Sequence, residues 1–295
     1  MLGSKIYHDI CYGKGSHLEP NGDHEHEGQV VLGVIRLDYD YPTTPGDVDD
    51  PRSFNYKVIF RVVPGLTYEI CKSGTMPEDV KEEFVEGIKY LEGRGVAAVT
   101  GDCGFMMWFQ DLARNTTHLP VFMSSLTLLP TIVSAYSKRD QVIVMTANGE
   151  KLDPMRNLIA KECGMSFSQD NIVILGAQDI PGFEAVAEGK RVNTVKVEPG
   201  IVAAAKQAIA EHPRAKAFLI ECTEIPHYSN AIRHETGLPV FDVITACDFF
   251  ISSRRCEARF GRQGWQLPWD GVRSEYRYGQ NLTPKQKMKL VNKAE

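Results

Sequence analysis

The sequence lacks several features that would assign it to a large class of proteins. No apolar run approaches the roughly 18 residues that cross a bilayer. The seven cysteines form no C-x-x-C pair or zinc-type spacing, and neither a P-loop nor a dinucleotide-binding glycine motif is present. The net charge of -5 indicates no nucleic-acid-binding surface. We therefore expect no membrane or nucleic-acid partner, no metal and no organic cofactor.

The cysteines and the first residues bear on the cellular compartment. Residues 1–29 are acidic and have no apolar segment, so they resemble neither a secretory signal nor an arginine-rich transit peptide. Cys71, Cys163 and Cys247 are interpreted as small buried hydrophobic side chains in a reducing compartment. These features predict an intracellular protein, and both the cytoplasm and a plastid stay open.

One local pattern occurs twice, each time around a cysteine. Cys103 is followed sixteen positions later by Leu-Pro-Val-Phe at residues 119–122, and Cys222 is followed at the same spacing by Leu-Pro-Val-Phe at residues 238–241. An apolar run precedes each cysteine, and an acidic residue, Asp102 or Glu221, stands directly before it. This repeat predicts two related halves of the chain.

Strand and helix patterns alternate within each half. The continuous apolar run from Val30 to Arg36 is typical of a parallel strand that is covered on both faces. We predict an α/β fold of two pseudo-symmetric lobes, each with a parallel sheet wrapped by helices. The first lobe is assigned to residues 1–138, with 1–28 as a flexible or capping segment, joined by a returning segment at 245–295. The second lobe is assigned to residues 139–244.

Both repeated cysteines fall where a predicted strand turns into a helix. Ligands of parallel sheets bind at this edge, so the sequence predicts one active site between the lobes with a thiol on either side. The positive end of a helix dipole should favour the thiolate form of each cysteine at neutral pH. Two such thiols suit the removal of a proton from a small carboxylate.

The residues around the second cysteine resemble a known superfamily. Residues 221–226, Glu-Cys-Thr-Glu-Ile-Pro, are similar to the second signature of the aspartate/glutamate racemase superfamily. The first cysteine departs from that pattern, because Gly104 and Phe105 follow it where racemases generally have Asn-Thr.

A closer resemblance covers nearly the whole chain, and it is to the algal dimethylsulfoniopropionate lyases of the Alma type. The segments that carry it are RLDYDYP, RVVPGLTYE, TGDCGF, PVFMSSL, TANGE, PGFEAVA, ECTEIP, LPVFD and KLVN. The resemblance implies cleavage of dimethylsulfoniopropionate to dimethyl sulfide and acrylate, in a homotetramer, and the missing metal and cofactor motifs predict that this cleavage needs no cofactor. The partner is thus a small carboxylate that carries a sulfonium group.

This reaction suggests roles for particular residues. Cys103 is assigned as the base that takes the α-proton, and Cys222 would polarise the carboxylate or relay a proton. Neutral donors should meet the carboxylate, and aromatic rings should suit the sulfonium. The candidate donors are the N–H groups of Gly104 and Thr223 and the side chains of Thr223, Ser124, Thr146 and Asn148. The candidate rings are Tyr39, Tyr41 and Trp108, and Asp38 would add negative charge or cap its loop.

Other interpretations stay open. Asn148 fits ordinary N-capping, and each aromatic ring fits plain packing. A racemase or isomerase of a small acid would use both cysteines as reversible bases. A two-lobed binding protein would not need a thiol on each lobe. A cysteine hydrolase is weakly supported, since neither His118 nor His227 is identified by the sequence as a paired base.

Overall fold

The structure is a computed structural model that describes residues 30–39, 42–166, 171–255 and 282–291. The chain divides into two units, Met1–Arg255 and Cys256–Glu295. Both sheets belong to the first unit.

The first sheet has four parallel strands in the order β2-β1-β3-β4. They are β1 (Val31–Arg36), β2 (Lys57–Val62), β3 (Ala98–Gly101) and β4 (Val121–Phe122). The helices of this half are α1 (Tyr68–Ser73), α2 (Glu78–Gly93), α3 (Gln110–Thr116) and α4 (Leu129–Ser134). Short 3₁₀ helices occupy Pro51–Ser53, Gly104–Phe109 and Ser125–Leu128. The apolar spacing of α2 places Val80, Phe84, Ile88 and Leu91 on its buried face, as the sequence predicts.

The second sheet repeats this arrangement, in the order β6-β5-β7-β8. Its strands are β5 (Gln141–Thr146), β6 (Ile172–Gly176), β7 (Ala215–Ile220) and β8 (Val240–Phe241). The helices are α5 (Gly149–Leu152), α6 (Arg156–Cys163), α7 (Glu184–Ala187), α8 (Thr194–Glu211), α9 (Ser229–Thr236) and α10 (Val243–Ser252). Short 3₁₀ helices occupy Asp153–Met155 and Pro226–Tyr228.

The correspondence of the two sheets confirms the predicted α/β fold. The strand that leads to each cysteine pairs with the first strand of its own half: β3 pairs with β1, and β7 pairs with β5. Cys103 therefore occupies in the first sheet the place that Cys222 occupies in the second. Helix α10 contacts β1 and β3, so the chain does return to the first sheet after β8. The assignment of domain boundaries at residues 138, 139 and 245 stays a proposal.

Some elements differ from the sequence prediction. The proline at residue 199 is typical of a helix start, but α8 begins five residues earlier, because the Asn193 side chain accepts a hydrogen bond from the Lys196 N–H and caps it there. Helix α1 was not predicted. Thr67 caps its first turn, and Gly74, with a φ of 70°, ends it.

The two halves are joined by a buried hydrogen bond. The Ser125 hydroxyl, after β4, donates to the carbonyl oxygen of Ile220 at the end of β7, at 2.7 Å. Both residues are fully buried. This contact fixes the end of β7 directly before the second cysteine turn.

In the second unit, the described residues form one helix, α11 (Pro284–Val291). Across the described ranges, no helix has both the length and the apolar character needed to cross a membrane.

We predict that Ser125→Ala lowers the free energy of unfolding by about 1–3 kcal/mol, because it leaves a buried carbonyl without its donor. Urea unfolding measures the loss. Ser134→Ala is the matched control, since the exposed Ser134 hydroxyl bonds only the Thr131 carbonyl within its own helix. That control should change stability by less than about 0.5 kcal/mol. Equal effects of the two variants would show that the hydrogen bond between the halves contributes nothing.

Candidate active site

A small cavity lies where the carboxyl ends of the two sheets meet. Its volume is about 230 Å³, below the roughly 300 Å³ at which pockets for drug-sized ligands begin. Both halves line it, through Leu37, Asp38, Tyr39, Thr67, Tyr68, Cys103, Gly104, Phe105, Ala147, Val186, Glu188, Gly189, Glu221, Cys222, Thr223 and Glu224. Both repeated cysteines thus line one cavity that suits a small molecule.

The first cysteine turn is fixed by a buried carboxylate. Asp102 follows β3 and accepts the Leu37 N–H with both oxygens, at 3.2 and 3.0 Å. Cys103 is the residue before the 3₁₀ helix Gly104–Phe109, and only 6% of it is exposed. Leu37 itself follows β1, so the ends of two neighbouring strands are tied together behind this thiol.

The second cysteine turn bonds directly to the first. The Thr223 hydroxyl donates to the Asp102 carbonyl oxygen at 2.5 Å, and both residues are buried. The Cys222 thiol donates to a carboxylate oxygen of Glu224 at 3.0 Å. The residue after one cysteine is therefore held by the residue before the other.

Gly104 and Glu221 complete this close contact. A β-carbon at residue 104 would collide with the carbonyl oxygen and the carboxyl group of Glu221. Only glycine allows the two turns to approach this closely. This is a physical reason for the Cys-Gly pair in the first turn.

Both thiols are held in their neutral form. The hydrogen bond from Cys103 to Cys71, burial and nearby carboxylates raise the pKa of Cys103 well above its usual value. Burial and the Glu224 carboxylate do the same to the pKa of Cys222. The expectation that a helix dipole favours thiolate at neutral pH is therefore wrong, because burial and acidic neighbours outweigh the dipole.

The carboxyl groups of the site titrate near neutrality. Burial raises the pKa of Glu221 to about 7, against the opposing effect of a hydrogen bond from Thr146. Burial, with Asp47 and Asp49 nearby, raises the pKa of Glu224 to about 8, although the hydrogen bond from Cys222 lowers it. The cavity thus holds two carboxyl groups that keep their protons up to about neutral pH.

Two tyrosines form aromatic walls. Tyr39 was a predicted residue and lies half-buried in the cavity lining. Tyr68, at the start of α1, was not predicted. Its ring packs edge-on against Phe105, and the Lys72 ammonium lies 5.2 Å from its centre. A usable signal was present, since Tyr68 follows β2 and the carboxyl ends of parallel strands share one edge.

The structure brings six predicted residues into the cavity lining and places others elsewhere. Those in the lining are Asp38, Tyr39, Cys103, Gly104, Cys222 and Thr223. Asp38 also accepts the Gly65 N–H at 2.8 Å, which agrees with the alternative of a loop cap. Tyr41 lies outside the described residues.

Four predicted residues do not line the cavity, and each has a structural contact instead. Trp108 packs its ring against Gly74. Ser124 caps the 3₁₀ helix Ser125–Leu128, and Asn148 caps α5 by accepting the Lys151 N–H. Thr146 donates to the Glu221 carboxylate at 2.6 Å. A direct contact of these side chains with the substrate stays a prediction.

Within the ranges that the structure describes, no three His, Cys, Asp or Glu side chains are grouped as a metal ion would require.

We predict that Gly104→Ala destabilises the protein by about 1–3 kcal/mol, because the added methyl group overpacks the contact between the cysteine turns. Thermal or urea unfolding provides the measurement. Gly93→Ala is the control, since a β-carbon there meets nothing within 4 Å at the end of α2. A Gly104→Ala protein as stable as this control would contradict the described contact.

Solved structures share the fold. An allantoin racemase from Klebsiella pneumoniae superposes with a TM-score of 0.52 at 17% identity, over 76% of this chain and 86% of its own. An arylmalonate decarboxylase superposes with a TM-score of 0.50 at 19% identity, over 76% and 91%. At such low identity, these likenesses support the racemase-like fold alone.

Sequence relatives are much more similar. No protein-family model matches the chain. Dimethylsulfoniopropionate lyase 7 of Emiliania huxleyi (strain CCMP1516) is 52% identical over 265 residues, which cover 88% of this chain and 78% of the relative. Dimethylsulfoniopropionate lyase of Durusdinium sp. clade D is 46% identical over 293 residues, or 98% and 97% of the two chains. These relatives confirm the resemblance found in the sequence, and the chain belongs to the dimethylsulfoniopropionate lyase family.

Proposed function

We propose that the protein cleaves dimethylsulfoniopropionate to dimethyl sulfide and acrylate by β-elimination with a cysteine base. The observation that carries this proposal is that Cys103 and Cys222 line one cavity of about 230 Å³, together with carboxyl and tyrosine side chains. Membership of the lyase family supports the substrate. The cavity supports the chemistry, because it offers a base and a place for a cation.

The charge of the site favours a cationic substrate. Glu221 and Glu224 line the cavity, and the buried Asp102 lies directly before Cys103. Burial raises the pKa values of both tyrosines and of Cys222, and the Cys71 thiol and burial raise that of Cys103; these acidic groups raise all four pKa values further. A sulfonium opposes that effect, and an opposite charge within about 4–6 Å lowers a thiol pKa by roughly 1–3 units. The bound substrate thereby promotes ionisation of the thiol that removes its proton.

The elimination balances without a co-reactant. The Cys103 thiolate takes a proton from the carbon next to the substrate carboxylate. The electrons of that C–H bond form the C=C bond of acrylate, while the C–S bond breaks and its electrons leave with neutral dimethyl sulfide. One proton remains on Cys103 and returns to solvent. Because the leaving group is neutral, no acid is needed to protonate it.

Cys222 has two possible roles, as the sequence indicates. It polarises the substrate carboxylate through its S–H, or it relays a proton. The hydrogen bond from Cys222 to Glu224, at 3.0 Å, offers a route for the second role.

The substrate carboxylate needs neutral donors. The Thr223 hydroxyl is already committed to the Asp102 carbonyl. The Gly104 N–H remains suitable, because it opens a 3₁₀ helix and has no acceptor inside that helix. The Tyr68 hydroxyl makes no hydrogen bond with the described residues and is a further candidate.

The resemblance also implies homotetrameric assembly, and the sequence motifs predict activity without a metal or organic cofactor. Both stay predictions for this chain.

We predict that Cys103→Ser abolishes the release of dimethyl sulfide from dimethylsulfoniopropionate, since a serine hydroxyl does not ionise to a useful base. Cys222→Ser should retain a trace, because elimination needs one base. Cys163→Ser is the control: its thiol bonds the Leu126 carbonyl and does not line the cavity. Gas chromatography of the headspace measures the product. Full activity in Cys103→Ser would exclude this residue as the base. A wild-type protein that is inactive but exchanges solvent deuterium into a small acid would favour a racemase.

Tyr39 tests how the sulfonium is held. We expect Tyr39→Ala to raise KM by about 2- to 30-fold, which corresponds to a cation–π contribution of roughly 0.5–2 kcal/mol. Tyr39→Phe keeps the ring and should raise KM less. Steady-state kinetics of the two variants decide the point. Equal damage would show that the hydroxyl, rather than the ring face, acts on the substrate.

A further inference from the structure

Glu221 is buried between the two cysteine turns in an unusual state. The residue is 1% exposed. One carboxyl oxygen accepts a hydrogen bond from the Thr146 hydroxyl at 2.6 Å, and Thr146 is itself fully buried at the end of β5. The other oxygen, Oε1, is buried and has no hydrogen-bond partner. An ionised carboxylate in this position would be poorly stabilised, because half of it lacks any donor.

The corresponding carboxylate of the other half is different. Asp102 stands before Cys103 as Glu221 stands before Cys222, but both Asp102 oxygens accept the Leu37 N–H. The repeat therefore contains one carboxyl with a donor on both oxygens and one with a donor on a single oxygen. A purely structural carboxylate would be expected to have its partners.

Glu221 also contacts both thiol turns. It is covalently next to Cys222, and its carboxyl group occupies the space beside Gly104 where a β-carbon would lie. A change of charge on Glu221 therefore alters the pKa of the thiols on both sides of the cavity.

From this geometry we infer that Glu221 is a positioning residue that acts as a neutral carboxylic acid in the working enzyme, and that the loss of its proton suppresses ionisation of both cysteines. The inference rests on the proposed function of these thiols as the reacting groups. In this neutral state the carboxyl proton lies on Oε1, the Glu221 oxygen that accepts no hydrogen bond.

The groups that face Glu221 make the direction of the effect clear. They are Cys103 after β3, Tyr68 on α1, and Cys222 and Glu224 on its own turn, while Thr146 on β5 is uncharged. The Glu221 charge raises the pKa of Cys103, Cys222 and Tyr68. As the pH rises through about 7, Glu221 loses its proton and each thiol becomes harder to ionise.

The test measures thiol ionisation without any substrate. The rate at which iodoacetamide labels Cys103 and Cys222 is followed against pH by peptide mapping, in the wild type and in Glu221→Gln. The glutamine keeps the shape and an acceptor for Thr146 but carries no charge. We expect the labelling midpoint to fall by about one pH unit, since a like charge at short range shifts a pKa by roughly that amount or more.

A second variant covers the possibility that Glu221→Gln does not fold. Glu221→Ala removes the carboxyl group altogether, so its charge is lost at every pH and the labelling midpoint should fall in the same direction. Glu162→Gln is the control, because that carboxyl is also buried but bonds Arg114 and does not line the cavity. It should leave the midpoint unchanged.

The outcomes separate this inference from the proposed function. Wild-type midpoints in the folded Glu221→Gln protein overturn the inference, and so do wild-type midpoints in Glu221→Ala when Glu221→Gln does not fold. A shifted midpoint in an enzyme that releases no dimethyl sulfide overturns the proposed function and supports the role of Glu221. A shift of equal size in Glu162→Gln overturns the inference, because the effect would then not depend on the position of Glu221.

Discussion

The site depends on the direct contact of its two cysteine turns. The Thr223 hydroxyl bonds the Asp102 carbonyl, and Gly104 leaves room for the Glu221 carboxyl group. Each of these contacts joins a residue adjacent to one cysteine with a residue adjacent to the other. The distance between the thiols is thus set by the same interactions that hold the two sheets together, and the site cannot open without breaking buried hydrogen bonds.

Close contact between buried turns has an electrostatic consequence. It concentrates carboxyl groups around the thiols and removes them from water, so the thiols stay neutral to high pH and Glu221 and Glu224 keep their protons up to about pH 7 and 8. A neutral resting site would protect the thiols from unwanted chemistry. A substrate that carries a positive charge can change this balance, and a simple anionic acid cannot. The charge of the site therefore agrees with a sulfonium substrate better than with an ordinary carboxylic acid.

Much of this arrangement could be predicted from the sequence, because two copies of one sequence pattern indicate two copies of one arrangement of strands and helices. The equal spacing of Cys103 and Cys222 from their Leu-Pro-Val-Phe segments places both thiols at the same point of two related sheets. The direction of the thiol pKa shifts could not be predicted in this way. A helix N-terminus is visible in a sequence, whereas the burial of Glu221 and the hydrogen bond from Cys103 to Cys71 depend on tertiary packing. Polar residues near strand ends could not be assigned to one role from the sequence for a similar reason. Ser124 and Asn148 cap helices, and capping uses the same residue types as ligand binding.

The central claim is that turnover takes place in the cavity that Cys103 and Cys222 line, with a thiol as the base, and chemical modification tests it most directly. The enzyme is treated with iodoacetamide in the presence and absence of dimethylsulfoniopropionate, and the fraction of each cysteine that is modified is compared with the remaining release of dimethyl sulfide. Our account predicts that activity falls in step with modification of Cys103 or Cys222 and that the substrate protects both. Loss of activity that follows modification of Cys163 or Cys247 alone, with Cys103 and Cys222 intact, would contradict it.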